Sequence, residues 1–195
     1  RFLSYDGNIV ETKPIKGTRP VSSNLEINKN LIEELSSSYK ERAENLMIVD
    51  LLRNDLGKNC EFGSVKVKEL FSIETFANVH HLVSTIQGKI SESSNIYKLI
   101  RDCFPGGSIT GAPKIRAMQI INELEPHNRN VYCGSIGYIS FSGTADLNIA
   151  IRTVMSSEDK LYFWGGGGIV YDSEIESEYK ETFDKIKPLL DLLKN

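Results

Sequence analysis

The sequence predicts an α+β fold, because strands and helices mix without the regular strand–helix–strand alternation of a parallel sheet. Residues 2–15 alternate between apolar and polar side chains around a turn at residues 6–8, which is typical of a β-hairpin. Apolar residues recur at helical spacing between residues 30 and 56 and again between 173 and 193. Several strand patterns lie between these two helical regions.

Composition limits the classes of protein to consider. The chain has 195 residues, enough for one large domain or two small ones, with 40% apolar and 25% charged residues. A net charge of −3 and the absence of a basic face argue against nucleic acid, and no apolar run approaches the ~18 residues of a membrane span. The isolated Cys60, Cys103 and Cys133 predict buried free thiols, so we expect a cytoplasmic protein.

The first half of the chain is expected to alternate between loops, helices and strands. Residues 14–20 are bracketed by prolines and predict a loop, and the polar residues 21–30 predict a mobile segment. One or two helices should follow up to about residue 56, with Glu41 and Glu44 on one face because they are three residues apart. Strands are expected over residues 65–73 and 79–86, and a short helix over 95–103.

The second half predicts a hairpin, a glycine run and a final helix. Residues 131–141 and 145–155 alternate around residues 142–144, which places Arg152 in an apolar strand where its charge must be paired. Residues 161–164 predict a buried strand that ends in four glycines, and such a run indicates close approach of the backbone to another group. The last helix, capped by Ser173, carries Glu178, Glu181 and Lys185 on one face.

Residues 105–116 combine three glycines, two hydroxyls and two cations just before an apolar-periodic run. Pro113 suits the first helical position, so a glycine-rich loop would lead into a helix N-terminus that favours an anion. A Walker A loop is rejected, because Ala112 and Pro113 stand where Lys-Ser/Thr is required. A tight turn before a core helix stays open, although it leaves Ser108 and Thr110 unexplained.

Two carboxylate pairs, on separate predicted helices, offer oxygen ligands of the kind that Mg²⁺ accepts. The alternative for each pair, a solvated helix face, remains open. His81 follows His80 in an apolar strand, so one of the two side chains points inward. That histidine is either a hydrogen-bonded core residue or a general acid. Lys16 is a surface lysine or, if it is enclosed and held neutral, a nucleophile.

Taken together, these segments resemble the chorismate-utilising enzymes, which include anthranilate, aminodeoxychorismate, isochorismate and salicylate synthases. The resemblance covers nearly the whole chain, in residues 14–18, 41–51, 79–84, 108–116, 134–137, 151–153, 166–168 and 178–185. It implies a mixed two-sheet sandwich with flanking helices and a cleft for the dicarboxylate chorismate. Residues 1–195 would be the C-terminal part of a single catalytic domain whose N-terminal half is absent.

The resemblance also implies roles for individual residues. The reacting ring would lie against Lys16, Ser108 and His81, with Gly17 and Thr18 next to Lys16. One carboxylate would be held by Tyr132, Arg152 and the backbone of Gly166, Gly167 and Gly168. Mg²⁺ would be bound by Glu44 and Glu181, with Glu41 and Glu178 around it, and Lys185 would balance the charge of these acids. The family's general-acid glutamate would fall just before Arg1, so this chain alone is expected to be inactive.

Residues 14–18 read Pro-Ile-Lys-Gly-Thr, as is typical of aminodeoxychorismate synthases, whereas anthranilate synthases usually have a small residue at position 16. The resemblance implies that Lys16 adds to C2 of chorismate and expels the C4 hydroxyl. Ammonia from a glutamine amidotransferase subunit or domain then enters at C4, giving 4-amino-4-deoxychorismate, the precursor of p-aminobenzoate and folate. The alternatives are anthranilate synthase, then isochorismate or salicylate synthase, and a non-catalytic binding module.

Overall fold

The computed structural model describes residues 1–171 and 173–193, and it confirms the α+β class. The helices are α1 (Leu25–Ser37), α2 (Tyr39–Gly57), α3 (Ile96–Cys103), α4 (Gly107–Thr110), α5 (Lys114–Leu124) and α6 (Ile175–Leu193). The strands are β1 (Leu3–Tyr5), β2 (Ile9–Thr12), β3 (Ile15–Pro20), β4 (Lys66–Thr75), β5 (Val79–Lys89), β6 (Gly137–Ile139), β7 (Ala145–Leu147), β8 (Val154–Ser157) and β9 (Lys160–Phe163).

Strand β5 is the centre of a seven-stranded antiparallel sheet in the described residues. It pairs with β4, and it also pairs with β3 through its first half and with β2 through its second. The sheet continues from β2 through β1 and β7 to β6, while β8 and β9 form a separate pair. Since β5 is buried along most of its length, its register fixes which residues of β3 face the helices.

Helices α2 and α3 cover one face of this sheet. Leu52 and Leu56 of α2 pack with Val10, Ile86 and Leu99 in a single apolar cluster, and each is at most 4% exposed. Burying such a side chain stabilises the fold by about 1.5–3 kcal/mol. The Ser38 side chain accepts a hydrogen bond from the Glu41 N–H and caps α2, which fixes where Glu41 and Glu44 lie relative to the sheet.

The cysteine prediction is confirmed, since Cys60, Cys103 and Cys133 are all buried and free. Burial raises the pKa of the Cys60 thiol to about 11 and that of Cys103 to about 12. Within the part of the chain that the structure describes, no helix is both long and apolar enough to cross a membrane.

Two predictions for the first half of the chain are wrong. Residues 15–20 form strand β3 instead of a loop, because they pair with β5. Residues 21–30 were expected to be mobile, but α1 begins at Leu25, and Asn24 caps it by accepting hydrogen bonds from Glu26 and Ile27. The segment is polar because α1 lies on the surface and buries only Leu35.

The second half also departs from its predicted pattern. The hairpin around residues 142–144 forms, but β6 and β7 have three residues each. Arg152 lies outside any strand, at φ +51°, and is exposed without an ion pair to another described residue. Leu161 is 50% exposed in β9, since that strand pairs only with β8. The glycine-rich segment contains the helical turn α4, and α5 begins at Lys114, one residue after Pro113.

Candidate functional site

A β-bulge directs Lys16 away from the regular strand pattern. Ile15 pairs with Val83 and Thr18 pairs with His81, so β3 has one residue more than β5 between these two pairs. The extra residue falls at Lys16 and Gly17, and bulges of this kind re-aim side chains. The Lys16 side chain is only 18% exposed as a result of this geometry, and the alternative of a surface lysine is therefore excluded.

Gly17 is required at this bulge for two reasons. Its φ is +84°, a conformation that residues with a side chain rarely adopt. A Cβ atom at Gly17 would lie 2.6 Å from Glu41 Oε2 and 2.7 Å from Leu35 Cδ1. Gly17 thus allows β3 to approach α1 and α2 closely enough for Lys16 to reach α2.

The amine of Lys16 lies between α2 and the glycine run. Its Nζ is 3.4 Å from Glu44 Oε2, and Glu44 is itself 16% exposed. A Cβ atom at Gly168 would lie 3.3 Å from the same Nζ. Gly168 therefore leaves the amine free of side-chain crowding from the glycine run.

Helix α6 approaches the glycine run from the other side. Lys185 Nζ donates a hydrogen bond of 3.2 Å to the Gly166 carbonyl and lies 2.5 Å from Glu181 Oε1. A Cβ atom at Gly167 would lie 3.0 Å from Glu178 Oε2. The spacing of the two glutamates and Lys185 therefore places them on one face of α6, as predicted.

The four glutamates provide carboxylate oxygens, the donor type that suits Mg²⁺. Each of them is paired with a cation: Glu41 with Arg19 (3.3 Å), Glu44 with Lys16 (3.4 Å), Glu178 with Lys40 (3.9 Å) and Glu181 with Lys185 (2.5 Å). Among the described residues, no three His, Cys, Asp or Glu side chains are grouped so that they could hold a metal ion. Magnesium is commonly bound by one or two carboxylates, with water and substrate oxygens as its other ligands. Two of these glutamates would therefore match it in donor type and in number.

The paired histidines have different environments. His80 is the inward-facing residue, fully buried with both ring nitrogens hydrogen-bonded. His81 is half-buried and its Nδ1 lies 2.9 Å from Thr18 Oγ1, next to the bulge. Burial lowers the pKa of His81, and the charge of Arg152 lowers it further, whereas the Gly17 backbone raises it. The lowered pKa favours a neutral His81 ring, held beside Thr18.

Tyr132 reaches the glycine run from the second half of the chain. A Cβ atom at Gly166 would lie 2.6 Å from the Tyr132 hydroxyl. The Tyr132 ring stacks on Trp164 with 6.1 Å between the ring centres, and burial raises the pKa of its hydroxyl to about 12. Ser108 lies half-buried in α4, and within the described residues no hydrogen bond joins its side chain to Lys16.

The structure therefore gathers most of the predicted site residues around one glycine run. Four predicted side chains approach residues 166–168 directly, and two more contact one of these four. The four are Lys16, Glu178, Lys185 and Tyr132, and the two are Glu44, through Lys16, and Glu181, through Lys185. Sequence reasoning missed Lys40, Trp164 and Arg129, whose guanidinium carbon lies 5.6 Å from the centre of the Tyr132 ring. Lys40 directly precedes Glu41, so the sequence shows it only as a cation next to a carboxylate pair. Trp164 and Arg129 have no local sequence signal.

A lysine, several carboxylates and three closely approached glycines thus lie around one point. A profile of the chorismate binding enzyme family matches residues 1–191. Aminodeoxychorismate synthase component 1 of Salmonella typhimurium is 53% identical over 195 residues, which are 100% of this chain and 43% of that protein. The Escherichia coli K12 protein of the same name is 53% identical over 190 residues, 97% of this chain and 42% of its own.

Solved structures agree with the sequence comparison. The crystal structure of anthranilate synthase component I from Streptococcus pneumoniae TIGR4 matches with a TM-score of 0.84 and 42% identity. This match covers 95% of the present chain and 40% of that one. The chain thus spans less than half the length of each of these relatives. It belongs to the chorismate binding enzyme family.

Proposed function

We propose that the protein containing this chain is an aminodeoxychorismate synthase component 1 that aminates chorismate at C4. The curated relatives of that name, at 53% identity over 97–100% of the chain, support this assignment. The observation that carries it is the placement of Lys16, a largely buried amine directed by a bulge to the glycine run. The product would be 4-amino-4-deoxychorismate, used for p-aminobenzoate and folate.

In the proposed reaction, Lys16 acts as a nucleophile. Its nitrogen forms a bond to C2 of chorismate, the ring double bonds shift, and the C4–O bond breaks with the hydroxyl leaving as water after protonation. Ammonia then forms a bond to C4 and loses a proton, the double bonds shift back, and the Lys16 nitrogen leaves C2 with its electron pair. The lysine is regenerated, so the reaction exchanges a hydroxyl for an amine without net redox change.

The remaining site residues would bind and orient the substrate. One carboxylate would lie at the backbone of residues 166–168, with the Tyr132 hydroxyl and the exposed guanidinium of Arg152 beside it. His81 and Ser108 would face the ring, and Lys185 would hold the glycine run and α6 in register through its bond to the Gly166 carbonyl. Glu44 and Glu181, with Glu41 and Glu178 near them, would hold Mg²⁺, which when bound supplies positive charge for the second carboxylate.

The partner and the compartment follow from the same proposal. The name component 1 in the relatives implies a second component, which we propose is a glutamine amidotransferase that delivers ammonia. A biosynthetic enzyme of this kind would work in the cytoplasm.

Product identification tests the function. The complete protein would be incubated with chorismate, ammonium and Mg²⁺, and the products separated and identified by mass. We expect 4-amino-4-deoxychorismate, formed only when ammonium is present. Anthranilate together with pyruvate, or a hydroxylated isomer formed without ammonium, would contradict the assignment.

Anthranilate synthase is the second candidate. The 42% identity to the S. pneumoniae enzyme favours it over isochorismate synthesis, since two isochorismate synthases of similar fold are only 27% and 24% identical. In that reaction ammonia would enter at C2 and pyruvate would be lost. The two candidates therefore make opposite predictions about the role of Lys16, because only amination at C4 needs a nucleophile from the protein at C2, whereas ammonia itself attacks C2 in anthranilate formation.

The magnesium assignment gives a separate prediction. In the complete protein, Glu44→Gln should weaken Mg²⁺ binding at least about tenfold, because it removes one of few charged oxygen ligands. Calorimetric titration with MgCl₂ measures this without turnover. Glu33→Gln is the control, since Glu33 is 65% exposed on α1 and pairs only with Lys29 at 3.8 Å among the described residues. Equal Mg²⁺ affinity in both variants would remove Glu44 from the metal site.

A further inference from the structure

The guanidinium of Arg129 joins two segments that the sequence separates. Its Nε and Nη2 donate to the two carboxylate oxygens of Glu125, at 2.9 and 2.6 Å. Its Nη1 donates to the carbonyl of Ile109 at 2.8 Å. The Arg129 side chain is only 23% exposed, and its bond to the Ile109 carbonyl is partly buried, whereas its bonds to Glu125 lie at the surface.

Arg129 also lies against Tyr132. The guanidinium carbon is 5.6 Å from the centre of the Tyr132 ring, within the range of a cation–π contact. A second neighbour of that ring is Trp164, which stacks on it with an interplanar angle of 4°. Tyr132 is thus held between a cation and an aromatic ring, with its hydroxyl at Gly166.

The carbonyl that Arg129 binds belongs to the turn that carries Ser108. Helix α4 has four residues, and the last carbonyls of a helix have no partner within the helix. The Ile109 carbonyl is one of these, and Arg129 supplies its donor. One side chain therefore joins the Ser108 turn to the Tyr132 ring.

We propose that Arg129 is a positioning residue that fixes Tyr132 relative to the Ser108 turn and so shapes the site for the substrate's carboxylate. This inference rests on the proposed function of the site. A planar fork is needed for the role, because two donors engage Glu125 while a third reaches Ile109. The ammonium of a lysine cannot reproduce this arrangement together with the ring contact.

The test uses the complete protein with the variants Arg129→Gln and Arg129→Lys. We expect KM for chorismate to rise about tenfold in both while kcat falls less than threefold, because Tyr132 is displaced but Lys16 is not touched. The control is Arg116→Gln, an arginine on α5 that is 58% exposed and pairs with Glu123. An Arg129→Gln protein with KM within twofold of the control, or an Arg129→Lys protein with wild-type KM, would overturn the proposal.

Trp164 gives a second readout that needs no turnover. It is the single tryptophan in these 195 residues, and its emission is isolated by subtracting the spectrum of a matched Trp164→Phe protein. We expect the emission to change in Arg129→Gln and to stay unchanged in Arg116→Gln, whichever product the enzyme makes. Unchanged emission in Arg129→Gln would contradict the inference independently of the proposed function.

Glu125→Gln keeps the test decisive if Arg129→Gln fails to fold. It alters the carboxylate that anchors the Arg129 guanidinium, on a residue that is 38% exposed. We expect about a threefold rise in KM and the same direction of change in Trp164 emission. A Glu125→Gln protein with wild-type KM and emission would count against Arg129 as a positioning residue.

Discussion

Replacing Lys16 by alanine in the complete protein should lower formation of 4-amino-4-deoxychorismate by at least about 10³-fold, or ~4 kcal/mol of transition-state stabilisation. The expectation follows from the chemistry, since no other lysine contacts Glu44 or Gly168 among the described residues. Steady-state assays with ammonium as nitrogen source measure the loss. Intact-protein mass gives a second readout, because only a protein with Lys16 should form a chorismate adduct when ammonia is withheld.

Lys13→Ala is the matched control for this experiment. Lys13 is three residues earlier in the chain and pairs with Glu74 at 2.9 Å, not with Glu44. Its loss should change the rate by no more than about twofold, the effect of a surface ion pair. Diversion of the Lys16→Ala protein toward anthranilate would also support a nucleophile at C2, whereas an unchanged product and rate would remove Lys16 from the mechanism.

The sequence identified the segment around Lys16 but not its conformation. Prolines at both ends and a glycine within it are typical of a loop. The segment is a strand because it pairs with β5, more than sixty residues away, and pairing with a distant strand outweighs local preference. The bulge that directs Lys16 comes from this pairing, so no local pattern could reveal it.

Alternation misled the prediction for the second half of the chain in the same way. The pattern around Arg152 suggested a buried strand, but alternation does not say whether a partner strand is present. Arg152 is exposed, and β9 pairs only with β8. By contrast, the spacing of Glu178, Glu181 and Lys185 predicted their common face correctly, because helical spacing is a local property.

Asp55 and Lys114 explain what holds the Ser108 turn against the rest of the fold. The Asp55 carboxylate, in α2, is 1% exposed and accepts hydrogen bonds from Lys114 Nζ at 2.6 Å and Lys58 Nζ at 3.0 Å. Lys114 begins α5 and also donates to the Cys103 carbonyl at 3.0 Å. The pair therefore ties α2, which carries Glu41 and Glu44, to the segment that contains Ser108.

Lys114→Ala should lower the free energy of unfolding of the complete protein by about 3–5 kcal/mol, because it leaves a buried carboxylate without its main partner. Urea unfolding measures the change. Lys58→Ala is the matched control: Lys58 bonds the same carboxylate but is 49% exposed, so its loss should cost at most about 1 kcal/mol.

A double variant, Asp55→Asn with Lys114→Met, should recover part of the lost stability, since removing both charges leaves no unpaired ion in the interior. Recovery of stability in the double variant would show that the cost of Lys114→Ala comes from the unpaired Asp55 carboxylate. If Lys114→Ala and Lys58→Ala destabilise the protein equally, the exposed partner matters as much as the buried one, and the anchoring role of Lys114 is wrong.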